Sequence, residues 1–152
     1  FIFISCNQIE FVLDSDERPI NLLYEKTDIN LGGEDIIFLK TYIPMFFGKN
    51  KDEKFELSIM VNEEQKKLSV KSNQVTSNLS YELRFFYTLR SNESGCITFK
   101  KEILSNFTIM PKSSGFNYGT DSSLDKKYEL AVTDNLSQFL SYLSETDLYE
   151  CI

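Results

Sequence analysis

The chain has 152 residues, a formal net charge of −7, 41% hydrophobic residues and no histidine, with Phe (13) and Tyr (8) abundant and Trp absent. That length allows one domain with a core that needs no metal or disulfide, and the apolar content excludes a disordered chain. The acid excess argues against nucleic acid, whose phosphates need a basic face, and against anionic membranes.

Phe1-Ile2-Phe3-Ile4 is apolar but too short for a signal-peptide core or a membrane span. A chain opening on Phe rather than Met fits a proteolytic product. Ile9, Phe11 and Leu13 alternate and predict a strand, and residues 14–19 have turn composition. Ile20, Leu22 and Tyr24 alternate again, and residues 27–34, with Gly32-Gly33, read as a loop. Ile36-Ile37-Phe38-Leu39 is a continuous apolar run suited to a strand buried on both faces. Phe46-Phe47 precede a polar turn over residues 48–52. Residues 55–61 alternate cleanly, residues 62–65 read as a turn, residues 67–71 as the returning strand and residues 71–80 as a polar loop. A run ending at Phe85-Phe86 is followed by a turn over 91–95 and a short strand, Ile97-Thr98-Phe99. A polar break at Lys100-Lys101-Glu102 leads to a strand from Phe107 to Met110, and Tyr128-Glu129-Leu130-Ala131-Val132 forms the last strand. Leu136, Phe139, Leu140 and Leu143 then follow the helical spacing i, i+3, i+4 and i+7, with Asn135 placed to cap. About twelve short strands at this spacing predict an all-β sandwich or closed barrel with a helical tail.

Catalytic chemistry is hard to assemble from these residues. Without His, the commonest general base and neutral nitrogen ligand is missing. No phosphate loop or dinucleotide fingerprint occurs, and Gly32-Gly33 is a turn. The carboxylate pairs Glu63-Glu64 and Asp14/Asp16 fall in polar turns, where solvated surface is the plain reading. The sequence therefore predicts no enzyme, no metal and no cofactor. Cys6, Cys96 and Cys151 lack zinc-ligand spacing, and an odd, scattered set predicts reduced thiols and a reducing compartment. Sequons stand at Asn78, Asn92, Asn106 and Asn135.

Residues 81–110, YELRFFYTLRSNESGCITFKKEILSNFTIM, also carry a resemblance. A strand ending in Phe, a turn with Asn, an apolar-polar-Phe strand and an aromatic-aliphatic strand follow in the order of the interleukin-1 cytokine family. Asn7-Gln8-Ile9-Glu10-Phe11, Arg18-Pro19 and Glu25-Lys26-Thr27-Asp28 resemble the opening of its interleukin-18 branch, and residues 36–42, 55–59 and 67–70 resemble the strands that follow. The likeness runs over residues 5–110 and, weakly, 128–133; residues 71–80, 113–125 and those after 134 depart from it.

The resemblance implies a pseudo-threefold β-trefoil over residues 1–134 and an amphipathic tail over 135–152. Its core would include Phe11, Phe38, Leu57, Ile59, Leu68, Phe86, Phe99, Ile109 and Leu130. It implies a pro-inflammatory cytokine, made as a cytoplasmic precursor, cleaved by a caspase and secreted unconventionally as a monomer. Its partners would be the alpha and beta chains of an immunoglobulin-like interleukin-18 receptor and a soluble binding protein, with no nucleic acid and no membrane. Receptor-binding residues carried over by match are Glu17, Arg18, Lys26, Asp28, Tyr42, Ile43 and Pro44. The alternative is an intracellular β-rich interaction module without cytokine activity.

Overall fold

The computed structural model describes residues 21–34, 36–70, 76–109 and 122–152; the features expected at residues 1–20, Glu17, Arg18 and Phe11 among them, lie outside these. The described elements are β1 (Thr27–Gly33), α1 (Ile36–Phe47), β2 (Phe55–Val70), β3 (Thr76–Ser91), β4 (Ile97–Ile109) and α2 (Ser122–Ser144). They form an open four-stranded sheet ordered β1-β2-β3-β4. β1 runs parallel to β2 through the α1 crossover, and β2, β3 and β4 form an antiparallel meander.

This overturns the closed trefoil of about twelve strands. Three of the expected breaks are strand in whole or in part, residues 76–80 of the expected 71–80 loop opening β3. Residues 62–65 continue β2, and Lys100-Lys101-Glu102 continue β4, the last strand in the sheet order. Polar side chains suit an edge strand, where they discourage pairing with another chain. Two of the expected strands are helix. The apolar run at Ile36 opens α1, and Tyr128-Glu129-Leu130-Ala131-Val132 lies inside α2. The loop expected over residues 27–34 is mostly strand β1.

The core follows the two-residue period of the strands. Phe55, Leu57, Ile59 and Val61 of β2 and Tyr81, Leu83, Phe85, Tyr87 and Leu89 of β3 are buried on the face that carries the helices. Phe85, not Phe86, is the core residue, since neighbours on a strand point to opposite faces. Leu68 and Leu130, expected in the core, are exposed, while Phe38 and Ile109 pack partly buried against it.

α2 follows the helical period instead. Tyr128, Val132, Leu136, Phe139 and Leu143 are all buried and fall on one stripe. The Phe139 ring stacks on Tyr87 at 4.1 Å between centroids and meets Phe99 edge-on at 5.7 Å. Asn135, on the same stripe, is fully buried. It accepts from the Tyr87 hydroxyl at 2.6 Å and donates to Ser105 Oγ at 2.8 Å, so helix and sheet are joined by a satisfied polar network. It is therefore neither a cap nor accessible to a glycan in the folded state. The helix runs unbroken across the boundary between residues 134 and 135.

Two glycines set the limits of β1 and α1. Gly33 has φ 94°, and a Cβ there would lie 1.9 Å from the Val61 carbonyl oxygen. Beyond it, the Glu34 N–H donates to that oxygen at 2.8 Å, and the Glu34 carboxylate accepts from the Glu63 N–H at 2.8 Å. Gly48, with φ 68°, ends α1 by donating to the Pro44 carbonyl at 3.1 Å. A Cβ at Gly48 would come within 2.9 Å of both Tyr24 and Glu25, so the turn before β1 is folded against the end of α1. Asn21 Nδ2 donates to the Phe46 carbonyl at 2.6 Å and fixes the same junction.

The chain end returns to the sheet. Cys96 and Cys151 form a disulfide with Cα atoms 5.7 Å apart, Leu148 is buried, and the Ile152 N–H donates to the Ile97 carbonyl at 2.9 Å. The expectation of reduced thiols at Cys96 and Cys151 is thus overturned. Two cysteines 55 positions apart are brought together because α2 packs along β4 and the tail turns back at its end.

Candidate functional site

The five described residues among those expected to bind a receptor are not brought together. Lys26 precedes β1, and Asp28 is exposed on the sheet face away from the helices, because its neighbour Thr27 points into the core. Tyr42, Ile43 and Pro44 lie on α1, in the helical layer on the other side of the sheet. Tyr42 and Ile43 are half-buried, and only Pro44 of the three is exposed. The Tyr42 phenol is held above its ordinary range, first by burial and then by its hydrogen bond to the Glu129 carboxylate and the charge there. That contact ties α1 to α2.

What α1 does present is an apolar outer stripe. Ile37 is 73% exposed and Met45 72% exposed, with Lys40, Thr41 and Pro44 exposed between them. These positions share one side of the helix. The helix carries a single charge, Lys40, and has no acid in its first turn. Residues 36–51 contain Lys40, Lys49 and Lys51 and no Asp or Glu, in a chain of net charge −7. Lys51 pairs with Glu25 at 2.7 Å. Leu22 and Tyr24, both close to half exposed, extend the apolar surface past the end of α1. A helix apolar on both sides is usually buried on both, so an outer stripe of this kind marks a contact surface.

Two further features are weaker. On the sheet face away from the helices, Met60 and Leu104 are exposed, and Met60 lies over Gly32, where a Cβ would meet its sulfur at 2.5 Å. Charges of both signs surround them, including the Arg84–Glu82 pair at 2.6 Å. A shallow groove of about 510 Å³ lies among Glu53, Lys54, Asn92, Glu93 and Tyr149. All five of these side chains are exposed. Among the described residues no group of His, Cys, Asp or Glu side chains is placed to hold a metal, and no helix is long and apolar enough to cross a membrane.

Sequence periodicity does not reveal the α1 stripe, because the run at Ile36 reads as a buried strand and is helix. The signal that could have found it is the acid-free stretch over residues 36–51.

No protein-family model and no curated protein matches the sequence. Solved structures are similar to different degrees. A protein assigned as a lipoprotein from Caulobacter crescentus CB15 superposes with a TM-score of 0.61 at 13% identity, over 80% of this chain and 89% of that one. A minor lipoprotein from Acinetobacter baumannii gives 0.48 at 13% identity over 82% and 95%. Rare lipoprotein B from Shewanella oneidensis gives 0.40 at 11% over 74% and 87%. The first of these shows likeness of fold, and the open four-stranded sheet of this chain is not a trefoil. With the trefoil goes the interleukin-18 branch of the interleukin-1 family and all that hung on it. That includes the pro-inflammatory function, the receptor chains, the soluble binding protein, the activating caspase and unconventional secretion from a cytoplasmic precursor.

Proposed function

We propose that the chain is the folded domain of a bacterial envelope lipoprotein, held at a membrane by an acyl anchor on Cys6 and acting by binding rather than by catalysis. The observation that carries this reading is the division of the three cysteines. Cys96 and Cys151 are paired, as suits an oxidising compartment outside the cytoplasm. Cys6 remains, and directly before it stand Phe1-Ile2-Phe3-Ile4 and the small residue Ser5. An apolar run closed by a small residue is the order found at the end of an export leader's core and its cleavage position. The names of the proteins with similar folds point the same way. Absence of a catalytic role is supported by the lack of any His for proton transfer and by the described carboxylates, none of which is buried.

The test is metabolic labelling. Expressed from its own gene in a bacterial host, the protein takes up labelled palmitate, and Cys6→Ser abolishes the label while leaving the Cys96–Cys151 bridge resistant to alkylation. Labelling that persists in Cys6→Ser, or wild-type protein without label, overturns the anchor.

A further inference from the structure

The geometry points to the outer stripe of α1 as a lipid-facing surface, which rests the domain side-on against the bilayer next to its anchor. The inference rests on the proposed acylation of Cys6 and adds to it the partner of a surface that acylation does not explain.

Three observations carry it. The first is the stripe itself. Ile37 and Met45 stand eight positions apart on one helix face, about 12 Å along the axis at about 1.5 Å per residue. Both are more than 70% exposed, so the core does not account for them. The second is charge. The chain is acidic as a whole, yet the only charged residues over 36–51 are lysines, of which Lys51 is paired with Glu25. Lys40 lies within the stripe and Lys49 just past its end. An apolar face bordered by lysines is the composition of a helix lying in the headgroup region of an anionic bilayer. Net charge alone disfavours such a membrane, but adsorption is decided by the surface presented to it, within about a Debye length of ~10 Å at 0.1 M salt.

The third is position. Cys6 stands 15 positions before Asn21, and Asn21 is hydrogen-bonded to the last turn of α1 through the Phe46 carbonyl. Fifteen residues reach at most about 50 Å when extended. The anchored end of the chain therefore enters the described domain at Asn21, the pole of the molecule beside the last turn of α1. Tethering at that pole raises the effective concentration of the stripe at the bilayer, so a weak contact is enough to hold it. The Met60 and Leu104 face lies on the other side of the sheet and is left to water or to other partners.

The chain has no Trp, so a single introduced Trp reports its own surroundings. The full chain carrying Cys6→Ser, which removes the anchor, is mixed with vesicles of phosphatidylglycerol and phosphatidylethanolamine or of phosphatidylcholine alone. Met45→Trp is expected to shift its emission to shorter wavelength with the anionic vesicles, while Leu130→Trp, exposed on α2, does not move. In co-sedimentation, an Ile37→Gln, Met45→Gln pair should lower the bound fraction at least tenfold with an unchanged circular dichroism spectrum. Lys40→Gln with Lys49→Gln should remove the preference for anionic lipid. The lipid assignment is overturned by equal shifts at both Trp positions, by no shift at either, or by undiminished sedimentation of the Ile37, Met45 variant. Self-association in place of vesicle binding, abolished by the same pair, would reassign the stripe to a second copy and also overturn it. The acyl label on Cys6 is read in a separate experiment, so a failure of vesicle binding and a failure of acylation are told apart.

Discussion

The two helices lie on the same face of one sheet and are made from opposite kinds of sequence. α2 has 23 residues, a buried stripe from Tyr128 to Leu143 and an outer side that is polar apart from Leu130 and Tyr142. α1 has 12 residues, one charge and apolar side chains facing both inward and outward. Core packing accounts for nearly all of α2. It accounts for half of α1, namely Leu39, Phe47 and the partly buried Phe38, Tyr42, Ile43 and Phe46. Stability should therefore depend on the inner sides of both helices, and the outer side of α1 should contribute to something other than folding.

Substitutions can break or sharpen that contrast. Phe139→Ala removes a fully buried ring packed on Tyr87, Phe99 and Phe47, and urea unfolding should show a loss of about 3–5 kcal/mol. A loss under about 1 kcal/mol would mean that α2 is not the chief cover of the sheet. Replacing both Cys96 and Cys151 by Ser frees the tail after α2 and should cost about 2–5 kcal/mol in the same assay. Asn135→Ala leaves the Tyr87 hydroxyl buried without its acceptor, for about 1–3 kcal/mol.

The same tyrosine gives a pH signature. Burial raises the Tyr87 pKa far above its ordinary value of about 10. Above about pH 10 the unfolded chain releases this proton while the native state keeps it, so the unfolded state binds fewer protons and stability falls as pH rises. Stability contributed by the neutral phenol is complete below pH 10, and Tyr87→Phe should flatten the alkaline decline measured by denaturation between pH 10 and 11. The smallest effects are expected outside. Ile37→Gln on α1 and Leu130→Gln on α2 should each stay within about 0.5 kcal/mol of wild type by thermal melting. A larger cost at Ile37 alone would mean that the outer stripe of α1 serves folding after all.

Where one face is buried and the other is wet, the sequence carried the answer. Phe55, Leu57, Ile59 and Val61 alternate because β2 has one core face there, and Leu136, Phe139 and Leu143 keep helical spacing because α2 has one. Where both sides are apolar the period vanishes, and the run at Ile36 could not be told from a buried strand. Tyr128 to Val132 failed differently. Five residues are too few to separate a helical period from alternation, and exposed Leu130 supplied a false strand position. At Phe85-Phe86 the pattern gave the strand and missed its phase.

The cytokine resemblance failed for a related reason. Short aromatic and β-branched runs separated by Asn, Ser and Gly occur in any antiparallel meander, and β2, β3 and β4 are one. The receptor surface that depended on it had no support from spacing or charge. The disulfide was unreadable because its two ends meet only after α2 has folded across the sheet.

The bridge between Cys96 and Cys151 also closes a covalent ring that contains β4 and all of α2. A protease that cuts the backbone once inside that ring releases nothing. Both pieces stay joined through sulfur, and the nicked molecule migrates as one band until a reductant is added. α2 can be clipped and still remain tethered beside its sheet, so damage to this domain would be silent until its cystine is reduced.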